Sequence, residues 1–533
     1  MKKFNTTVVC VPSKHYMVDL SDKVAEIKKL VDDGKYFTIN RARQYGKTTT
    51  LSLLEKALAD EYYVVFMDFQ DYGDDTFRNA DSFCRDFSCD FCSLLEEKID
   101  KSNSKLEASI QSVVEAAENM DIELRLFTMF RGLKKVWDNS DKPIVLFIDE
   151  VDSATNNQLF IDFLSGLRSH YLKREKNSDY KTFQSVILAG VTDVKHLKSK
   201  IREEANTKEN SPWNIAADFT IDMSLSASGI KGMLDEYEAD HHTGMDTEDI
   251  AAQIRDYTNG YPFLVSRICE LIDTKVSKTM PMSKAWTRDG IDEAIKLILA
   301  ENNTLFQSLT KNLNNFTNLK EAIRSILMEG TKLAWNPDQK EIIQMQMYGL
   351  IRNDHNTVKV ANRIFETRLY NLFLSDEELK QNVFSREGEL ARNQFVTDGK
   401  LNMRMILERF RDTYTEVCGP LVDRFKEKDG RELFLLYLKP IINGTGNYYI
   451  EAQTRDQTRT DVIVDYLGQQ YIIELKIWRG ESYNSDGEKQ ISEYLDYFNL
   501  TTGYMLSFNF NKKKVTGMKR VEIRDKVLFE VTV

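Results

Sequence analysis

Three short stretches of this chain hold chemically capable side chains at telling intervals. In the first, Gly46-Lys47-Thr48 follows the apolar residues Tyr36, Phe37 and Ile39. It precedes Leu51, Leu54 and Leu58, which recur on one face of a helix expected over Thr49 to Leu58. Strand, polar turn, Gly-Lys-Thr and helix is an arrangement that cradles phosphate groups. Backbone N–H groups and the helix N-terminus face the anion, Lys47 reaches the β- and γ-oxygens, and the Thr48 hydroxyl can hold Mg²⁺. Arg43, Gly46 and Thr49 complete the candidate nucleotide contacts. The pattern G-x-x-x-x-G-K-[ST] asks for glycine at position 41, and Arg41 stands there. By itself the stretch is equally an ordinary strand–turn–helix.

The second stretch is Pro143-Ile144-Val145-Leu146-Phe147-Ile148-Asp149-Glu150, an apolar strand closed by two acids. Asp149 would hold Mg²⁺ through water, and Glu150 would polarise the attacking water. Its alternative is a buried strand with an acidic helix cap. Both halves together, in this order, point to ATP or GTP. Thr192 or Asp193, at the end of the apolar run from Val186, could sense the γ-phosphate. Arg168, on the helix expected from Asn157 to Tyr171, could reach a neighbouring subunit, so a possible homo-oligomer stays open.

In the third stretch, Thr460-Asp461-Val462-Ile463-Val464-Asp465-Tyr466 alternates like a strand, Gly468-Gln469 makes a turn, and Tyr471-Ile472-Ile473-Glu474-Leu475-Lys476 forms a second strand. Period two puts Glu474 and Lys476 on one face, and a hairpin brings Asp461 across from Glu474 or near it. Two carboxylates suit a hard divalent cation, and a lysine beside them orients the attacking water of phosphodiester hydrolysis. A salt-bridged surface hairpin is the alternative.

The rest of the chain must position these groups. Its 533 residues suit three or four domains, and 42% hydrophobic content allows packed cores. A formal charge of −11 confines any nucleic-acid surface to a local patch, for which Lys512-Lys513-Lys514 and Lys519-Arg520 are a candidate beside the simpler reading of a solvated turn. The apolar run in MKKFNTTVVCVPS is too short for a signal peptide, and no run reaches membrane-span length, so we expect no membrane partner and a reducing cytoplasm. Cys84, Cys89 and Cys92 invite a metal reading. Phe83, Phe87, Phe91 and Leu94 recur at helical spacing through them, however, and a plain helix is favoured. Strands at 62–68, 144–150, 186–193 and 219–223 alternate with helices, which predicts a parallel α/β sheet with ligands at the carboxyl ends of its strands.

A family resemblance bears on Arg41. Tyr16-Met17-Val18-Asp19, the loop RARQYGKT and Phe147-Ile148-Asp149-Glu150 resemble the bacterial AAA-ATPase-like family, which typically has R-P-R-R-F-G-K-S at the loop. Gly260-Tyr261-Pro262 resembles the G-x-P signature of related NTPases, placed in a lid near the nucleotide; a helix-start turn is its simpler role. The C-terminal stretch resembles the PD-(D/E)xK nuclease superfamily. That resemblance adds Glu432, as the acid of a first core helix, and Gln490 and Tyr494, as a Q-x-x-x-Y on the helix after Lys476. Thr460 stands where the superfamily's name has proline.

The expected fold is α/β. An N-terminal parallel-sheet P-loop NTPase core (1–225) is followed by a helical lid (226–300), a possible winged helix or helical segment (301–375) and a helical connector (376–420). An α/β PD-(D/E)xK nuclease-like domain (421–533) closes the chain. The expected function is an ATP-binding, AAA-like ATPase coupled to a metal-dependent nuclease, with defence or mobile-element biology as the family's setting. Glu150, Asp461, Glu474, Lys476, Gln490 and Tyr494 are the candidate catalytic residues. Thr48 and Asp149 would hold Mg²⁺ beside ATP; Glu432, Asp461 and Glu474 would hold Mg²⁺ or Mn²⁺. Nucleic acid, DNA before RNA, is the expected partner. A nucleotide-dependent switch or scaffold whose C-terminal domain binds without cutting is the alternative.

Overall fold

The computed structural model describes residues 2–7, 9–100, 102–191, 194, 212–329, 331–379, 383–397, 399–418, 427–442, 446–453, 459–467, 469–478, 488, 491–496, 498–511 and 516–533. Of 328–329, 376–379, 393, 427–428, 446–447, 449–453 and 459–461 it describes the backbone alone. The chain forms two compact units. The first holds Met1–His242, Gly260–Glu270 and Gln346–Gly349; the second holds the remainder.

In the first unit, strands β1 (Phe37–Asn40), β2 (Tyr63–Asp68), β3 (Ile144–Asp149) and β4 (Ser185–Gly190) form a parallel sheet in the order β1-β4-β3-β2. Parallel strands buried on both faces read as continuous apolar runs, and every residue of β3 and β4 is buried. Alternation divides them between two cores. Val145 and Phe147 join Leu51, Leu54 and Leu58 on one side. Ile144, Leu146 and Ile148 join Phe83, Phe87 and Phe91 on the other. The helix Ala80–Glu96 carries Cys84 and Cys92 buried among these phenylalanines, as the helical spacing predicts.

One expected strand is absent. Residues 219–223 form no ladder; a single bridge joins Ala217 to Phe37. The reason lies in Arg41. Its Nη2 donates to the Ile221 carbonyl at 2.9 Å, taking an acceptor that a strand would offer to its neighbour.

The second unit contains the helices Thr247–Thr258, Arg288–Ala300, Thr304–Asn315, Thr317–Glu329, Arg363–Leu379 and Lys340–Met347 up to Met345, with a hairpin of β5 (Ile351–Asp354) and β6 (Thr357–Val360). The short pair β7 (Val396–Thr397) and β8 (Lys400–Leu401) comes next. A mixed six-stranded sheet then runs in the order β13-β14-β12-β11-β10-β9. Its members are β9 (Gly446–Gln453), β10 (Arg459–Tyr466), β11 (Gln469–Ile477), β12 (Thr502–Phe508), β13 (Gly517–Ile523) and β14 (Lys526–Thr532). β10 and β11 pair antiparallel, whereas β11, β12 and β14 run parallel. Lys519 and Arg520 lie exposed on β13, with Arg520 paired to Glu522 at 2.9 Å; Lys512–Lys514 lie outside the described residues.

Gly260 is a position where backbone geometry demands glycine. Its φ is +70°, and a Cβ there would meet the Leu225 carbonyl oxygen well inside contact distance, because the two backbones are joined by a 2.8 Å Leu225 N–H to Gly260 O bond. Gly260→Ala is expected to lower stability by about 2–4 kcal/mol, combining left-handed strain with backbone displacement. Denaturant unfolding checks this, and an unchanged midpoint would contradict the packing just described.

Candidate nucleotide site and C-terminal carboxylate cluster

The helix begins at Lys47, two residues before the expected Thr49, and its N-cap is Gly46 at φ +79°. Gly46 and Gln44 are the loop residues at positive φ; Arg41 is not among them. Glycine at 41 is therefore unnecessary to this turn. The Arg41 guanidinium leaves the loop altogether. It donates to Asn40 O (3.0 Å) and Ile221 O (2.9 Å) and lies over the Phe219 ring at 5.3 Å.

Lys47 is buried. Its Nζ donates to the carbonyls of Arg41 (3.1 Å) and Ala42 (3.3 Å), so the ammonium sits inside the loop's concave side. Burial pushes this ammonium below its usual range, against the pull of Glu150, Asp149 and Asp152. Thr48 Oγ1 donates to Asp149 Oδ2 at 2.7 Å, while Asp149 Oδ1 accepts the Glu150 N–H at 2.9 Å. Loop and strand end thus meet through the two side chains expected to serve Mg²⁺. Burial raises the Glu150 carboxyl and Lys47 opposes it, which leaves Glu150 a better proton acceptor than an exposed glutamate. Arg43 is exposed beside this cluster. Thr49 has a structural contact, its Oγ1 accepting the Cys10 N–H at 3.1 Å. Thr192 and Asp193 lie outside the described residues. Arg168 is half-buried on the helix Gln158–Lys176.

Gly260-Tyr261-Pro262 packs against this loop. Tyr261 OH donates to Arg43 O at 2.5 Å, its ring meets Tyr45 edge-on at 4.8 Å, and Pro262 is 3.9 Å from where a Gly46 Cβ would stand. Gly349 lies over Ala42, where a Cβ would come within 2.6 Å.

Two acids of this site escaped the sequence reading. Asp68 closes β2 in register with Asp149 at the end of β3. Burial, with a contribution from Asp149, raises its carboxyl. Asp152 accepts the Val191 N–H at 2.7 Å and bears electrostatically on Lys47. The signal for Asp68 was available: an acid ends the apolar run of β2 as Asp149 ends that of β3.

The second unit gathers the other candidates around β11. Glu474 is buried, and Lys476 Nζ lies 3.1 Å from its Oε1 on the same face. Val462 pairs with Ile473, so the backbone of Asp461 comes one residue before that pair and Glu474 one residue after it. The Asp461 side chain and Gln490 lie outside the described residues. Glu432, on the helix Glu427–Ile442, is ion-paired to Arg324 at 3.2 Å, and this helix packs on β11. Tyr494 packs fully buried with Ile472, Leu495 and Met505. Glu530 is an acid the sequence reading passed over: Met505 pairs with Glu474 on one side and Glu530 on the other, and Glu530 accepts from Ser507 at 3.1 Å. Among the described residues no three His, Cys, Asp or Glu side chains group as a metal set.

Residues 4–375, more than half the chain, match the family described as AAA-like domain. The chain belongs to that family. A segment of 145 residues is 30% identical to an uncharacterized WD repeat-containing protein, slr0143, of Synechocystis sp.. The match takes in 26% of this chain and 11% of that protein, so the chain spans a small part of its relative's length. Among solved structures, the Walker-type ATPase of Pyrococcus abyssi aligns at 11% identity and TM-score 0.45, covering 69% of this chain and 99% of that one. The Aeropyrum pernix ORC2 protein aligns at 10% identity and TM-score 0.39, over 70% and 98%. Both scores are too low to decide anything about this chain; its membership in the AAA-like family rests on the family match. No described helix is long and apolar enough to cross a membrane.

Restoring the motif glycine should harm this protein. Arg41→Gly removes two hydrogen bonds and a cation–π contact, and is expected to cost about 1–3 kcal/mol of stability with no gain in nucleotide affinity. Thermal unfolding with and without nucleotide measures both quantities. Tighter nucleotide binding by the glycine variant would show that Arg41 obstructs the loop.

Proposed function

We propose that this AAA-like chain binds and hydrolyses ATP at the loop 41–48, and that this activity governs metal-dependent phosphodiester cleavage at β10 and β11. The observation that carries the first half is the 2.7 Å Thr48–Asp149 hydrogen bond beside a buried Lys47 whose Nζ donates to two loop carbonyls. These donors fit a nucleotide with Mg²⁺. Lys47 would exchange its carbonyls for phosphate oxygens, Thr48 and Asp149 would hold the cation, and Arg43 and Gly46 would flank the phosphates. Bound Mg²⁺ supplies neutralising charge to the phosphate oxygens. Glu150, with its raised proton affinity, accepts a proton from the attacking water. GTP satisfies the same phosphate contacts, and ATP is the reading carried by the family.

The second half rests on the buried Glu474 with Lys476 at 3.1 Å, on a strand whose register brings the Asp461 backbone alongside. Asp461 and Glu474, with Glu432, would hold Mg²⁺ or Mn²⁺, which supplies Lewis acidity at the scissile phosphate. Lys476 orients the attacking water, and Gln490 and Tyr494 are the further candidates from the resemblance. The nucleic-acid substrate, DNA before RNA, is part of this proposal, as is a homo-oligomer with Arg168 at its interface. A second reading, a nucleotide-dependent switch whose C-terminal unit binds nucleic acid without cutting, is favoured by one observation: Glu432 is already paired with Arg324.

Lys47→Ala is expected to weaken ATP binding about 10–100-fold through loss of charged hydrogen bonds. Asp461→Ala and Lys476→Ala should each lower Mg²⁺- or Mn²⁺-dependent cleavage of a mixed DNA and RNA panel by about 10²–10⁴. Unchanged ATP affinity in the lysine variant removes the first assignment. Cleavage equal to wild type in both C-terminal variants leaves the non-cutting switch.

A further inference from the structure

Away from both candidate sites, two carboxylates meet in the interior of the second unit. Asp292 lies on the helix Arg288–Ala300 and is 6% exposed; Asp465, on β10, is 0% exposed. The helix that carries Asp292 also places Lys296 beside Asp465, and the charge of Asp465 bears directly on the Asp292 carboxyl. Tyr257 OH donates to Asp292 Oδ1 at 3.0 Å. Among the described residues no donor reaches either oxygen of Asp465. Lys296 Nζ stands 3.9 Å from Asp465 Oδ1, beyond hydrogen-bond length, and is shared with Glu293 at 3.5 Å.

The surroundings exclude water and offer little compensation. Tyr257 comes from the helix Thr247–Thr258. Arg363, from Arg363–Leu379, lies over the Tyr257 ring at 4.3 Å and is ion-paired to Asp256. Arg288, on Asp292's own helix, stacks on Phe498 at 4.9 Å. The neighbouring segments Ile272–Val276 and Met282–Ala285 contribute the buried residues Ile272, Val276 and Ala285. Two ionised carboxylates facing each other in such a place repel each other strongly, and one partly shared lysine beyond hydrogen-bond length does not cancel both charges. A single proton does: the protonated carboxyl donates to its ionised neighbour, and Tyr257 supplies a second donor.

We propose that Asp292 and Asp465 hold one proton between them and form a pH-sensitive latch fastening β10 to the helix Arg288–Ala300. When the proton leaves, like charges face each other in a dry interior and the strand loosens from the helix. Burial, followed by the charge of Asp465, raises the Asp292 carboxyl to about 7, with Arg288 and Tyr257 opposing. The ordinary value for such a carboxyl is 3.8. Between these values the folded state binds the extra proton. The latch's contribution is therefore complete below the lower value and is lost as pH rises to about 7. β10 also carries Asp461, so the latch bears on the proposed cleavage site; that link alone rests on the proposed function.

The test compares the full chain with Asp292→Asn, whose amide can donate to Asp465 at every pH. Between about pH 5 and pH 7, the wild-type melting midpoint should fall relative to the variant by on the order of 3 °C per pH unit. Hydrogen exchange of β10 amides, corrected for intrinsic rates, should rise over the same range in wild type and stay level in the variant. Asp465→Asn provides the same comparison if the first variant does not fold. Parallel profiles for wild type and variant overturn the latch. So does a midpoint that Mg²⁺ or Ca²⁺ raises in wild type but not in Asp292→Asn, since a cation would then hold the pair. Melting and exchange require no cleavage, so failure of the nuclease reading is seen separately in the cleavage assay.

Discussion

The hydrogen bond from Thr48 to Asp149 ties a helix start to a strand end, and the loop 41–48 depends on it. Lys47 is buried next to these residues, and a buried ammonium must be compensated. Loop carbonyls provide hydrogen bonds, while Asp149, Glu150 and Asp152 provide charge. β3 delivers Asp149 to this place at the end of a fully buried strand paired in register with β2 and β4. The arrangement is held together by the protein's own groups.

Arg41 shows how a departure from a motif is absorbed. A glycine in a phosphate loop is needed where φ is positive or where backbone must approach closely. Here the positive-φ positions are Gln44 and Gly46, and close approach occurs at Gly260 and Gly349. Position 41 has neither requirement, so its side chain is free to brace residues 219–221. The segment that would have added a strand becomes a support for the loop instead.

The second unit meets the same physical constraint twice. Glu474 is buried with an ammonium at salt-bridge distance, whereas Asp465 is buried with a second acid. Both belong to one antiparallel pair, β10 and β11, whose apolar neighbours form a core. Charge placed inside a sheet's packed face is expensive unless paired, so such groups mark where a protein gives up stability for chemistry or control.

Much of this was legible in the residues themselves. Continuous apolar runs located β2, β3 and β4, alternation located β10 and β11, and Gly46-Lys47-Thr48 with Asp149 located the loop, because burial and period are local properties of sequence. Residues 219–223 misled the reading: their strand-like pattern was real, but a side chain 180 residues earlier took the carbonyl of Ile221. Asp292 acquired significance only from the approach of Asp465. Nothing within a few residues of either acid announces its partner. Local sequence determined which elements form and which groups can do chemistry; tertiary packing decided which charges share a space, because electrostatic coupling depends on distance through the fold and not on separation along the chain.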